Sequence, residues 1–325
     1  MQYFANVFKI NFSNHKVKIF NSLDEFQPIE NVVVTIGTFD GVHFGHQQLI
    51  QRVKQKASEI NGSSLILTFF PHPRMILYPE EHGIELLNTI REKQALLEQE
   101  GIDNLLILPF DATFAEISSE EFILKILVEK LKTKVLIIGY DHRFGKNREG
   151  SIEDLMKFAP ECGFEVEQIP EQDVNEIAVS STQIRKSLKR GDVATAAAFL
   201  GRPYTLTGTV VQGNKIGRTI GFPTANLQIA ENYKLIPSEG VYVTKVDIGS
   251  DEFYGMLSIG RRPTLESAGK LSIEVFILDF NREIYGSEVT LHLLAWVRED
   301  RKFNSLEDLT RQIKNDLNFT LNYLK

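Results

Sequence analysis

Two periodicities divide the chain. Up to about residue 185, short unbroken apolar runs alternate with stretches of helical spacing, and Val32–Ile36, Leu65–Phe70, Leu105–Leu108 and Val135–Gly139 read as strands covered on both faces. Between them, His46–Ile60, Thr89–Glu100 and Glu120–Leu131 set apolar residues three and four apart, as with Phe122, Ile123, Ile126 and Leu127, and read as helices. Gly163–Gln168 is expected to add a fifth strand and Thr182–Lys189 a helix leading out. Strand and helix in repeated alternation imply right-handed crossovers and a parallel sheet.

Beyond about residue 200 the period falls to two. Tyr204–Val211, Val241–Val246, Phe253–Ile259, Ser272–Phe280 and Glu288–Val297 read as strands between Gly, Pro, Asn or Ser turns, with no crossover helices, so an antiparallel barrel or sandwich is expected. Ser305–Tyr323 closes the chain as a helix. Ser305 and Asp308 have the spacing of a capping box, and Leu306, Leu309, Ile313 and Leu317 make an apolar face expected to pack across the barrel. A short Ala-rich helix, Val193–Leu200, lies between Gly191 and Gly201-Arg202-Pro203. The fold class is therefore α/β followed by mainly β, with domains at 1–185 and 203–325 and linking helices at 186–202.

Length agrees with two domains, since 325 residues at 42% hydrophobic suffice for two cores. No apolar run approaches the ~18 residues of a membrane span. The N-terminus has no basic stretch leading into an apolar one, so no secretory signal is expected. The single cysteine, Cys162, offers no internal disulfide and no zinc set, which points to a reducing, cytoplasmic setting. Net charge is −7 without a basic stripe, so nucleic acid is not an expected partner and any anionic ligand must be held by a few placed groups. Six of the seven histidines (His15, His43, His46, His72, His82 and His142) fall in the first half, and only His292 in the second.

Thr35-Ile36-Gly37-Thr38-Phe39-Asp40-Gly41-Val42-His43-Phe44-Gly45-His46 follows the first buried strand and opens a helix. Ligands of open α/β sheets bind beyond the carboxyl ends of the strands, and a helix N-terminus there presents N–H groups to phosphate. Gly37, Gly41 and Gly45 permit close backbone approach, while His43 and His46, three apart, share a side. The fitting chemistry is nucleotidyl transfer, with charge stabilised on an α-phosphate. On residues alone, a metal pair or two capping histidines fit as well. Val179-Ser180-Ser181-Thr182-Gln183-Ile184-Arg185 offers cap hydroxyls and one guanidinium for phosphates, or simply a helix cap.

In the second half, Gly213-Asn214-Lys215-Ile216-Gly217-Arg218-Thr219-Ile220-Gly221 makes a glycine loop with two cations that is not a Walker A sequence. Thr224 and Asn226 follow it, and their neutral oxygens suit Mg²⁺ beside ATP phosphates. Glu274, one carboxylate amid strand alternation, is either a solvent-facing residue or a general base for an attacking alcohol.

Several of these stretches resemble known families. G-T-F-D-G-V-H-F-G-H resembles the H-x-G-H signature of the nucleotidyltransferase superfamily, and Val179–Arg185 its I-S-S-T-x-x-R partner with Val for Ile. Gly139-Tyr140-Asp141-His142-Arg143-Phe144-Gly145 resembles G-x-D-F-x-F-G, with His142 in place of Phe. Phe69-Phe70-Pro71-His72-Pro73-Arg74 matches too, and His72 and Arg74 are expected to shape the loop or meet a flavin phosphate. G-R-T-I-G-F-P-T-A-N-L with E-V-F-I-L-D-F resembles the riboflavin kinase family, where Ser258 replaces a usual Asn.

Jointly, and over essentially the whole chain, these motifs resemble the prokaryotic bifunctional riboflavin kinase/FMN adenylyltransferase (FAD synthetase) family. The resemblance implies a Rossmann-like nucleotidyltransferase domain followed by a Greek-key-like riboflavin kinase barrel with a closing helix. It implies riboflavin, FMN, FAD, ATP, ADP and pyrophosphate as small-molecule partners, Mg²⁺ with ATP, and flavins that are substrates and products rather than redox groups. The catalytic residues it implies are His43, His46, Arg185 and Glu274. Those for ATP or flavin are Gly37, Phe39, Asp40, Gly45, Asp141, Ser180, Ser181, Thr182, Gly213, Lys215, Gly217, Arg218, Gly221, Thr224, Asn226 and Arg298, with Thr224 and Asn226 on the metal. A monomer or weak homo-oligomer is expected. Two other readings stand beside it: an adenylyltransferase of the same superfamily with a different acceptor, which leaves the barrel motif without purpose, and a flavin-sensing module without catalysis.

Overall fold

The computed structural model describes residues 16–78, 84–140, 142–169, 179–213, 216–264 and 267–325. The chain forms two compact units, one of Met1–Ile84 and Ile90–Val179, the other of Glu85–Thr89 and Ser180–Lys325.

The first unit is built on a six-stranded sheet. Its strands are β1 (Lys18–Phe20), β2 (Val32–Ile36), β3 (Ser63–Phe70), β4 (Asn104–Pro109), β5 (Val135–Gly139) and β6 (Glu165–Ile169), in the order β1-β4-β3-β2-β5-β6. Every adjacent pair is parallel. The continuous apolar runs are explained by cover on both faces. Val32, Val34, Leu65, Leu67, Leu106 and Leu136 pack with the helices Phe122–Lys130 and Ile152–Cys162, while their neighbours Val33, Ile66, Leu105 and Val135 turn to the other side. There α1 (Phe44–Glu59) contributes Ile50, Val53 and Ala57, and α3 (Ile90–Gln99) contributes Leu97. Chain order reverses between β2 and β5, so the crevice past Ile36 and Gly139 is the topological switch point where such sheets bind ligands.

The second unit is a closed barrel of β7 (Tyr204–Val211), β8 (Ala225–Gln228), β9 (Gly240–Ile248), β10 (Asp251–Thr264), β11 (Ser267–Ile277) and β12 (Glu288–Glu299), ordered β10-β11-β8-β7-β12-β9. All six pairings are antiparallel. Alternation sorts the faces: Ile273, Val275 and Ile277 are buried, whereas Ser272, Glu274 and Phe276 between them are half-exposed on the outer face. Barrel closure settles the choice between barrel and sandwich.

Several sequence expectations need correction. β1, three residues with no period, and β8, four residues after the glycine loop, are strands that the sequence pattern does not mark, and neither does it mark the helix Ile152–Cys162 with Pro160 inside it. Pro73–Leu77, read as part of a rigid loop, is a short helix, here α2, capped by His72. β11 ends at Ile277, three residues early, because the chain turns at Asp279 with φ +52°. The C-terminal helix Leu306–Tyr323 is capped by Ser305, whose hydroxyl accepts from the Asp308 N–H. Leu306 is 56% exposed rather than packed, and the helix buries Asp316 and Thr320 instead, with Leu309, Ile313 and Leu317 half-buried.

Candidate functional site

In the first unit the turn after β2 is held in an unusual backbone. Phe39 and Val42 lie at φ +47° and +39°, with Gly41 at +91° between them. Left-handed backbone in a non-glycine residue, above all a β-branched one, costs about 1–3 kcal/mol and persists only where surroundings enforce it. Here the Val42 N–H donates to the Phe39 carbonyl at 3.3 Å and the Gln47 side chain to the Val42 carbonyl at 2.9 Å. A side chain on Gly37 would stand 3.1 Å from the Phe39 ring, which would have to give by a few tenths of an ångström to admit it.

The turn ends at His43, which is the N-cap of α1 but supplies no side-chain cap. The first-turn amides of α1 therefore face the crevice with partial positive charge. His43 is buried and its ring stacks on that of His46, centroids 3.7 Å apart and 16° from parallel, while Phe39 tilts against His46 at 5.0 Å. Gly45 is buried between the two histidines in sequence. The i, i+3 spacing thus yields a paired imidazole face at a helix N-terminus, suited to donate to phosphate oxygens.

Beneath the turn lies a residue that sequence reasoning missed. Lys93 of α3 is 4% exposed, and its Nζ donates to the Thr38 carbonyl at 2.6 Å. Burial pushes its ammonium down to about 8, against the attraction of Asp40, itself 2% exposed. In sequence Lys93 sits in Arg91-Glu92-Lys93 and looks like a solvated helix face; no local signal distinguishes it.

Beyond β5, His142 lies parallel to Phe144, at 6.0 Å and 20°. The histidine thus keeps an aromatic contact at the position where the family pattern has Phe. Asp141 lies outside the described residues. His72 is 9% exposed and its Nδ1 accepts from the Arg74 N–H at 3.2 Å, so its work in this structure is to cap α2.

Ser180–Arg185 belongs to the second unit. Ser180 caps the helix Ser181–Leu188 by accepting from the Gln183 N–H at 3.3 Å; Ser181 is half-buried and Thr182 exposed in its first turn. Arg185 Nε donates to the Glu85 carbonyl at 2.8 Å.

The barrel gathers its candidates on one outer face. Glu274 of β11 lies directly across from Asn226 of β8 on one side and from Ser258 of β10 on the other, which puts the three in a row over three strands. Thr224 donates its hydroxyl proton to Glu274 Oε2 at 3.0 Å, and Ser272 donates to Oε1 at 2.9 Å. The glycine segment folds back over this row. Phe222 meets Phe276 edge-on at 5.4 Å, a side chain on Gly213 would strike the Asn226 amide, and one on Gly217 would strike the Phe222 carbonyl. Gly221 turns at φ +82° and Arg218 is exposed; Lys215 lies outside the described residues.

The donor set fits Mg²⁺. A threonine hydroxyl that gives its proton to a carboxylate keeps lone pairs for a hard cation, and an amide oxygen stands beside it on β8. Among the described residues no three His, Cys, Asp or Glu cluster as a metal cage, so the remaining ligands would be phosphate and water oxygens, the usual condition for this ion.

Arg298, expected at flavin or nucleotide, is engaged within the protein. Its Nε and Nη2 hold the buried Asp316 carboxylate at 2.9–3.0 Å, and Nη1 donates to the Glu299 carbonyl, which ties β12 to the C-terminal helix. Trp296 of β12 packs edge-on against Tyr242 at 5.0 Å.

Comparison with known proteins gives two family models in this chain: "FAD synthetase" matches residues 26–183 and "riboflavin kinase" matches residues 200–324. Curated relatives described as bifunctional riboflavin kinase/FMN adenylyltransferase include one from Listeria monocytogenes, 40% identical over 90% of this chain and 92% of its own length. Those from Bacillus subtilis and Escherichia coli are each 36% identical, over 90% and 89% of this chain and 92% and 91% of theirs. A solved structure from Streptococcus pneumoniae, described as a macrolide-efflux protein, is similar with a TM-score of 0.85 at 32% identity, covering 94% of this chain and 99% of that one. Among the described residues no helix is long and apolar enough to cross a membrane.

Proposed function

The chain belongs to the bifunctional riboflavin kinase/FMN adenylyltransferase family, and on that premise we propose which side chains carry each of its two steps. The riboflavin kinase region phosphorylates riboflavin with ATP to give FMN, and the FAD synthetase region joins FMN to the AMP part of a second ATP, giving FAD and pyrophosphate. Chain order is the reverse of reaction order.

Phosphorylation has an alcohol nucleophile of high pKa, so a carboxylate base is useful. Glu274 accepts the proton of the ribityl 5′-hydroxyl, and the bonds from Thr224 and Ser272 orient its two oxygens. Gly213, Gly217 and Gly221 let the loop backbone approach ATP, with Lys215 and Arg218 supplying charge. Mg²⁺, when bound, neutralises charge on the ATP phosphates; Thr224 and Asn226 are its proposed protein ligands.

Adenylylation has a nucleophile already ionised at pH 7, the FMN phosphate, so no base is needed. His43 and His46 donate to the α-phosphate oxygens as charge grows there, at the N-terminus of α1. Gly37, Phe39, Asp40 and Gly45 shape the turn. Asp141, Ser180, Ser181, Thr182 and Arg185 are assigned to nucleotide on the family pattern alone. A single cysteine fits a cytoplasmic enzyme, and a monomer or weak homo-oligomer is proposed.

The observation carrying this reading is that one unit holds a paired imidazole face at a helix N-terminus and the other a carboxylate aligned by two hydroxyls. Chromatography of the flavins formed from riboflavin and Mg·ATP tests it. His46→Ala should cut FAD formation by about 10²-fold or more and let FMN accumulate. Glu274→Ala should cut FMN formation by about 10²–10⁴-fold yet still convert supplied FMN to FAD. A folded variant losing both activities would overturn the assignment.

A further inference from the structure

Lys93 has no part in the functions assigned above, and its position asks for one. Packing alone favours an apolar residue at a fully covered position of α3, such as Leu97 one turn on, yet the chain places an amine there at the cost of its solvation. The amine is directed at a particular place. Its Nζ lies 2.6 Å from the Thr38 carbonyl, and the Thr68 hydroxyl donates to the same oxygen at 3.3 Å. Thr38 sits between Gly37, which packs on the Phe39 ring, and the left-handed stretch at Phe39, Gly41 and Val42. Asp40, nearly without solvent contact, is the acidic group whose attraction opposes the loss of the Lys93 charge. A turn this unfavourable needs an anchor outside itself.

We propose that Lys93 is a positioning residue for adenylyl transfer: its ammonium, on the Thr38 carbonyl and beside Asp40, fixes the turn that sets His43 and His46 against the phosphates. This rests on the reading of that turn as the adenylyl site. Lys93 touches no substrate and acts through Thr38 and Asp40. The donors it aligns work on charge that develops in the transition state, so their misplacement lowers kcat rather than weakening ground-state binding.

The experiment uses the full-length protein and FMN plus Mg·ATP, with His46→Ala alongside. Lys93→Met should lower kcat for FAD formation by about 10- to 100-fold while KM for FMN and ATP moves less than about threefold. FMN formation from riboflavin should be unchanged. Lys93→Arg, which keeps a cation, should lose less than Lys93→Met. Asp40→Asn and Lys93→Met combined should lose no more than the worse single variant, because both act through one turn.

Hydrogen exchange of the β2 amides in Val32–Ile36 checks that the sheet is intact. If Lys93→Met exposes them, Lys93→Gln, which also removes the charge, carries the same comparison. Unchanged kcat in a charge-free variant with an intact sheet, a loss confined to KM, or losses that multiply with Asp40→Asn would overturn the proposal. If His46→Ala keeps full FAD formation, the adenylyl-site reading itself fails whatever Lys93 does. If His46→Ala loses it and Lys93→Met does not, only the role of Lys93 fails.

Discussion

At the scale of single residues, the sequence discloses groups whose chemistry is announced by spacing and hides those whose role is tertiary. His43 and His46 are legible because a glycine-spaced turn and a helix start surround them, and the stacked rings follow from that spacing. Glu274 is ambiguous alone; its meaning comes from Asn226 and Ser258 across the ladder and from the Thr224 hydroxyl, partners that lie up to 50 residues away. Lys93 is illegible, since its burial depends on a turn 55 positions earlier. That burial has a thermodynamic signature. The Lys93 ammonium sits at about 8 in the fold against an ordinary 10.5, so between these values the unfolded chain binds more protons and stability rises with pH. The slope is at most about 1.4 kcal/mol per pH unit, and below pH 8 the full penalty of a buried charge remains. Urea unfolding of wild type and Lys93→Met at pH 7.5, 9 and 10.5 checks this, wild type gaining on the variant as pH rises. A difference that does not change with pH would remove Lys93 from the titrating groups.

At the scale of elements, long periodic segments are legible and short ones are not. The helix Val193–Leu200 and the strand β7 fall where the pattern puts them, and α1 begins two residues before the expected start. β8 has four residues and one buried side chain, Leu227, so no alternation could disclose it, yet it brings Asn226 beside Glu274. Gly213 and Gly217 of the preceding loop are explained by what they touch, and Gly221 by its left-handed backbone. Gly217 lies against the Phe222 carbonyl with the Thr224 hydroxyl 3.5 Å from where a side chain would begin. Gly217→Ala must push these apart, and a displacement of about 1 Å near a reacting group costs about 10²-fold in rate. Steady-state assays should show kcat/KM for riboflavin phosphorylation falling by that order and FAD formation from supplied FMN unchanged; an unaltered kinase would mean that the loop does not order the Glu274 row.

At the scale of the whole molecule, the change from a 3.6-residue to a two-residue period discloses two units, and the histidine skew falls on the half that the FAD synthetase family model matches. The boundary is less legible. Ser180–Arg185, assigned by its motif to the first domain, groups with the barrel unit, as does the distant segment Glu85–Thr89. Backbone bonds explain the latter: the Leu86 N–H donates to the Tyr233 carbonyl and the Leu235 N–H to the Leu86 carbonyl, a pairing across nearly 150 residues that no local pattern encodes. The net charge of −7 is compatible with phosphate ligands, since helix amides, glycine-loop amides and a few cations are enough to supply a local positive field. The central claim is that one chain carries two separable sites linked by FMN. It is tested most directly by mixing His46→Ala and Glu274→Ala proteins with riboflavin and Mg·ATP and measuring FAD. The account predicts that FAD forms in the mixture though neither variant makes it from riboflavin alone. No FAD from the mixture, with both proteins folded, would contradict it.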